Sequence, residues 1–137
     1  RMEGGADNAE LWGGLGLATS NGGAGADYFE YRGVAEGGAG EQIGDWQGGI
    51  DDLRIDASGF GGGLVAGALA ANRLVVGNFP VANQAFGQFL YNTVNGVLYW
   101  DVNGTGAGGL NFLVKLYTPT FGAPPASLAT TDFEIVS

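Results

Sequence analysis

Apolar and polar positions alternate most clearly in "AFGQFLYNTVNGVLYWDVNGTGAGGLNFLVKL", Ala85 to Leu116. Phe89 and Tyr91 alternate with polar or exposed positions, and Leu98 and Trp100 do so again after Asn95-Gly96, which reads as a two-residue hairpin turn. "NGTGAGG" supplies a second turn and "LNFLVKL" a third strand, so an antiparallel meander is predicted. Upstream, "IDDLRIDASG" predicts an exposed strand with Leu53 and Ile55 turned inward. "GLVAGALAANRLVVGN" is mixed: Ala and Leu favour helix, Gly67 interrupts it, and Val75-Val76 favour strand. It predicts a loop or short helix, then a short strand. The tail has a Pro-rich linker followed by Asp132-Phe133-Glu134-Ile135-Val136.

Toward the amino terminus the period changes from two to nine. Gly-Gly pairs begin at Gly4, Gly13 and Gly22, and a fourth begins at Gly37 after an insert "YRGVAE". Regular spacing of this kind predicts stacked supersecondary units rather than a linker. Paired glycines admit left-handed turns, such turns aim carbonyl oxygens to one side, and an aspartate a few residues on adds a hard anionic oxygen. The last three residues of each unit then make a short strand whose middle side chain, Leu11 or Phe29, points inward. The plainer alternative is an array of glycine turns whose acids are simply solvated.

Composition sharpens this picture. The chain has 137 residues, enough for one domain with a modest core. It contains no Cys and no His, which removes disulfides, soft-ligand zinc sites, thiol nucleophiles and imidazole bases. The net charge of −9 argues against nucleic acid and anionic membranes as partners, and no apolar run is long enough for a membrane span. Residues 1–56 hold eleven of fourteen Asp/Glu against three of five Lys/Arg, and residues 1–63 hold nineteen of twenty-eight glycines. The chain therefore divides into an acidic, glycine-rich part, 1–56, and a nearly neutral part, 57–137, within one continuous unit. Its start at Arg1 suggests a fragment or processed product.

Two enzyme-like patterns fail on context. Gly61-Gly62-Gly63-Leu64-Val65-Ala66 fits a dinucleotide-binding turn, but "DDLRID" before it is not a continuous apolar strand and no acidic ribose ligand follows. Asp51 and Asp52 are adjacent on a strand, so they point to opposite faces and do not act on one bond. No catalytic role is expected.

The third nonapeptide, "GGAGADYFE", matches G-G-x-G-x-D-x-U-x at every defined position, and this is the repeat given as the general signature of a calcium-binding parallel β-helix. Here the chain resembles the carboxyl-terminal region of RTX (repeats-in-toxin, haemolysin-type calcium-binding) secreted proteins. Ile43-Gly44-Asp45-Trp46, "LRIDASGF", "YNTVNGVLYWDVNGTG" and the final "DFEIV" are similar to segments found in such proteins. Other units depart from the pattern: Asp7 stands for the third glycine in unit one, and Ala9, Ala18 and Gln42 stand at the aspartate position.

The resemblance implies an all-β fold, a short, degenerate parallel β-roll followed by an antiparallel β-meander cap. It implies calcium at Asp27 with the carbonyls of Gly23 and Gly25, and at Asp45. "DVNGTG", with Asp101, Asn103 and Thr105 alternating, is either a further calcium loop or an Asx-type turn. The implied role is calcium-dependent folding of a type I secretion module on an exported bacterial protein, secreted or at the cell surface, attached to an upstream domain. The alternative is a self-associating extracellular structural or adhesive element, surface-layer or filament-like, assembling as a homo-oligomer.

Overall fold

The computed structural model describes residues 2–16 and 18–137. Six short strands come first: β1 (Met2–Glu3), β2 (Glu10–Trp12), β3 (Thr19–Asn21), β4 (Tyr28–Tyr31), β5 (Gln42–Ile43) and β6 (Asp52–Asp56). They alternate between two sheets. β1, β3 and β5 pair in parallel in one, and β2, β4 and β6 pair in parallel in the other. Each turn of this coil therefore visits both sheets, and two nonapeptides make one turn.

The register gives that spacing directly. Met2 lies opposite Ser20 and Glu10 opposite Tyr28, eighteen residues on. Phe29 lies opposite Leu53, twenty-four residues on, so the second sheet absorbs an insert the length of "YRGVAE". Thr19 lies opposite Gln42, a step of twenty-three. Five of the six extra residues go into the connection from β4 to β5, which carries a 3₁₀ turn at Val34–Glu36, and the sixth into that from β5 to β6.

The glycine pairs let successive turns touch. Gly23 has φ +81°, and a Cβ there would overlap the carbonyl oxygen of Gly5 in the turn before. Only glycine satisfies both the left-handed backbone and that contact.

The later elements extend both sheets. They are a four-residue helix, α1 (Ala57–Phe60), then β7 (Leu74–Gly77), β8 (Gln88–Asn92), β9 (Val97–Asp101), β10 (Leu110–Leu116) and β11 (Phe133–Val136). β8, β9 and β10 form the antiparallel meander. β10 pairs in parallel with β5, so the coil's first sheet continues through the meander as seven strands, β1-β3-β5-β10-β9-β8-β7. β7 lies parallel to β8 at its far edge. β11 pairs in parallel with β6 and completes the four-stranded sheet β11-β6-β4-β2. Strand pairing thus crosses the 56/57 boundary in both sheets.

The connection from β8 to β9 is longer than the two residues its Asn-Gly pair predicts. It runs from 93 to 96, with the Asn92 side chain accepting from the backbone N–H of Val94 and Asn95 and with Gly96 at φ +74°.

Leu53 and Ile55 face inward and are fully buried, while Asp52, Arg54 and Asp56 stay partly exposed. The core between the sheets is densest around Phe60, Phe89, Trp100 and Phe133, whose ring centroids lie 4.6–6.1 Å apart. Within the coil, the expected Leu11 and Phe29 are joined by Tyr31, Ile43 and Trp46. The coil interior is therefore more apolar than its repeats alone suggest. The gain is uneven: the first turn contributes Leu11, the last contributes Ile43, Trp46, Leu53 and Ile55. Among the described residues no helix is long and apolar enough to cross a membrane.

Candidate functional site

The turns 4–9, 22–27 and 44–51 each connect the seven-stranded sheet to the four-stranded one, and they stack on one rim of the coil. Because Glu10, Tyr28 and Asp52 are in register, the residues just before them form a column: Ala9, Asp27, Asp51. Each aspartate reaches back to the preceding turn. Ala9 N–H donates to Asp27 Oδ1 at 2.9 Å, and Asp27 N–H donates to Asp51 Oδ1 at 3.1 Å. Asp51 Oδ2 accepts from Gln47 N–H at 3.0 Å.

Asp45 works alongside this column. Its carboxylate accepts from Gly22 N–H at 2.8 Å and from Gly23 N–H at 2.7 Å. The pattern reaches the last strand, where Asp132, just before β11, accepts from Gly49 N–H at 3.2 Å. These acids are charge-assisted acceptors for backbone donors that the tight glycine turns leave unpaired.

One oxygen is left over. Asp27 is buried, and its Oδ2 has no hydrogen-bond partner among the described residues. It lies against Gly22, where a Cβ would overlap it. Burial, then the neighbouring Asp45 charge, raises the Asp27 carboxyl above the ordinary aspartate range despite the Ala9 hydrogen bond. Burial likewise pushes Asp51 up to about 6, with Asp27 and Asp45 adding repulsion. This rim gathers negative charge that nearby backbone donors only partly offset.

The opposite rim, which includes the connection 32–41, also sets acids against backbone donors, and among its described residues no buried side-chain oxygen is without a partner. The register of Thr19 with Gln42 sets Ala18 opposite Glu41. Glu41, one residue ahead of the unit's Gln42, therefore fills the place the nonapeptide gives to aspartate. Ala18 N–H donates to Glu41 Oε1 at 2.8 Å, and the Tyr31 hydroxyl donates to Oε2 at 2.9 Å. Glu36 accepts from Trp12 Nε1 and from Arg32 N–H. Burial raises both the Glu41 carboxyl and the Tyr31 hydroxyl above their usual ranges.

The other expected ligands are placed as follows. Gly25 packs on the Asn8 side chain, and Gly23 on Gly5. Asp101 ends β9, and its Oδ1 is buried without a partner among the described residues. Asn103 turns into its own loop, donating through Nδ2 to Ala107 O at 2.9 Å. Thr105 engages the neighbouring loop through its backbone N–H, which donates to Gln84 O at 2.8 Å. Among the described residues no hydrogen bond joins the side chains of Asp101, Asn103 and Thr105. Among the described residues no three acids gather in a group that could by itself hold a metal.

Sequence reasoning placed Asp27 and Asp45 in the turns but missed Asp51, Glu41, Glu36 and Asp132 as inter-turn acceptors. Restarting the repeat at Gly37 and counting one unit further, to 46–54, puts Asp51 at the sixth position that Asp27 holds in its own unit. No family model and no curated protein matches this chain.

Proposed function

We propose that this chain is a calcium-responsive folding module of an exported bacterial protein, a short β-roll with an antiparallel cap. It would stay loose in a low-calcium cytoplasm, pass a type I secretion channel, and set outside the cell beside an upstream domain of the same polypeptide. It has no catalytic role in this reading.

The observation that carries the proposal is the buried Asp27 carboxylate, one oxygen without a donor, beside Asp45 and Asp51. The donor chemistry fits calcium: hard oxygens on glycine-rich turns, with no thiol or imidazole in the chain. Asp27 would be the anionic ligand, Asp45 a second negative charge beside it, and the carbonyls of Gly23 and Gly25 the neutral donors. A cation there supplies the positive charge that the stacked acids lack. Extracellular calcium modules bind at about 10⁻⁴–10⁻³ M. Calcium at about ten times such a Kd stabilises the bound state by about 1.4 kcal/mol, enough to shift a marginal coil.

The test is a far-UV circular-dichroism titration with calcium, with magnesium as control. Expected is a cooperative gain of β signal near millimolar calcium, with a higher midpoint for Asp27→Ala. Equal order after exhaustive chelation defeats the reading, and an unchanged midpoint removes Asp27 as a ligand.

A second reading, self-association as an extracellular structural element, draws on a different observation. Phe79, Val81 and Leu110 are exposed and border an apolar groove of about 270 Å³ on the meander, and β1 and β2 are open sheet edges. Sedimentation velocity across a hundredfold concentration range distinguishes it: growth of larger species favours assembly, and a constant monomer excludes it.

A further inference from the structure

Open strand edges invite pairing, and folded proteins guard them with charge, proline or cover. The two sheets have four outer strands, and three are guarded. β1 carries Glu3 and β2 carries Glu10. β11 is covered by Gly67, which exchanges backbone hydrogen bonds with Ile135. β7, Leu74-Val75-Val76-Gly77, has neither charge nor proline, and among the described residues no strand lies beyond it.

The backbone of β7 is turned outward at two positions. Thr93 N–H donates to Gly77 O at 2.9 Å, so Gly77 and Val75 face β8. By alternation, Leu74 and Val76 aim their N–H and C=O groups at the open side. The Val76 side chain is in register with Tyr91, a core residue, yet it is 37% exposed, so the core is uncovered at this edge. Apolar side chains flank the strand at both ends. Before it, Val65 is 70% exposed and lines a small apolar cavity with Leu69, Ala70 and Arg73; after it, Phe79 is 82% exposed.

Charge indicates what covers this edge. Residues 57–100 contain no Asp or Glu, and their single cation, Arg73, is held by the carbonyls of Gly62, Gly63 and Gly87. The acids crowded into 1–56 repel a second copy elsewhere, whereas two copies meet here without opposed like charges. The strand is also self-complementary. A two-fold axis beside Val75 sets Leu74 of one copy antiparallel to Val76 of the other and pairs their outward backbone groups. The same axis carries each Phe79 toward the cavity at the start of the other copy's β7.

We propose that β7 is a dimerisation edge, through which two copies of this chain join their seven-stranded sheets into one, with Phe79 as the apolar anchor. This dimer rests on the self-association reading and narrows it: the pair is closed, because the one unguarded edge of each copy is then occupied. It shares no residue with the acid column and requires no metal.

The test is sedimentation velocity of the full chain across a hundredfold concentration range in calcium chloride, with hydrogen exchange followed at single amides. Expected is a monomer–dimer equilibrium without larger species, and slower exchange at Leu74 and Val76 as the dimer fills. Val76→Lys puts a charge on the edge and is expected to leave only monomer with the wild-type far-UV spectrum. Phe79→Ala, which alters an exposed side chain, is expected to weaken the dimer about tenfold or more. Leu15→Lys, at a side chain 77% exposed on the first coil turn, is expected to dimerise as wild type does. Assembly that persists in Val76→Lys, or that fails in Leu15→Lys, overturns this edge and leaves self-association standing through another surface. A wild-type monomer throughout overturns both. Should Val76→Lys lose its fold, an unchanged dimer in Phe79→Ala together with unslowed Leu74 and Val76 amides overturns the edge in its place.

Discussion

The first and last turns of the coil share a backbone plan but are held by different means. The last turn sits between neighbours in both sheets, β10 beside β5 and β11 beside β6, and buries Ile43, Trp46, Leu53 and Ile55. The first turn is an open edge in both sheets and buries Leu11. What it lacks in apolar contact is replaced by acceptors offered from the turn after it: Asp27 to Ala9, Glu41 to Ala18, Glu36 to Trp12. Direction matters here, because each bridging acid belongs to the later turn and holds the earlier one. Apolar burial is non-directional and accumulates, whereas a carboxylate satisfies only the donors it can reach. The comparison teaches that the glycine turns form wherever a following turn presents an acid, even where little core is available.

The largest expected effect comes from breaking the apolar end. Leu53→Ala removes a fully buried side chain from the middle of the four-stranded sheet and is expected to lower the unfolding free energy by about 2–5 kcal/mol in urea titrations. Leu11→Ala, at the open end, is expected to cost clearly less and to speed amide exchange only in the first turn. Equal losses at the two positions would show that the coil is one cooperative unit with no gradient.

A second, smaller effect is electrostatic. Burial raises the Glu41 carboxyl, so the folded form favours its protonated state. The associated stability is fully present below the ordinary glutamate pKa of about 4.5 and is lost as pH rises through the raised folded value. Glu41→Gln keeps an acceptor for Ala18 N–H and removes the titration. In chelator, its stability is expected to fall less than that of wild type as pH rises from about 4 to neutrality. Parallel pH profiles for the two proteins would show that Glu41 does not titrate in this range.

The smallest effect lies on the outer face of the four-stranded sheet, where Arg54 pairs with Glu10 and Glu134 and stacks on Tyr28. Glu10→Gln is expected to change stability by less than about 1 kcal/mol, less still in high salt. A larger loss would mean that this pair, rather than the acid column, ties the first turn down.

Much of the local structure was legible in the sequence. Period-two alternation located β6, β8, β9 and β10 and the inward side chains Leu53, Ile55, Phe89, Tyr91, Leu98 and Trp100, because successive side chains point to opposite faces; the positions expected to be exposed in β8 are not, since Gln88 and Leu90 are buried as well. Period nine located the coil turns for the same local reason. The joins were not legible. Pairing of β10 with β5 and of β11 with β6 links segments some seventy to eighty residues apart, and neither carries a mark of its partner. The acids were half legible: Asp27 fits its repeat and Asp51 falls at the sixth position of a further unit, 46–54, but Glu41 lies one residue out of phase. The Pro-rich linker before the tail gave no sign that Phe133–Val136 would close a sheet.

The excursion between β4 and β5 carries a wider consequence. Five additional residues enter there, yet the strands on either side keep their inward side chains inward and their acids aligned with the donors they serve. The coil keeps count of strands, and this rim connection varies in length without disturbing their register. A foreign peptide spliced into this excursion would thus be displayed at the perimeter with the stacking beneath it in phase, provided it spares Glu36, which holds Trp12 Nε1 and Arg32 N–H.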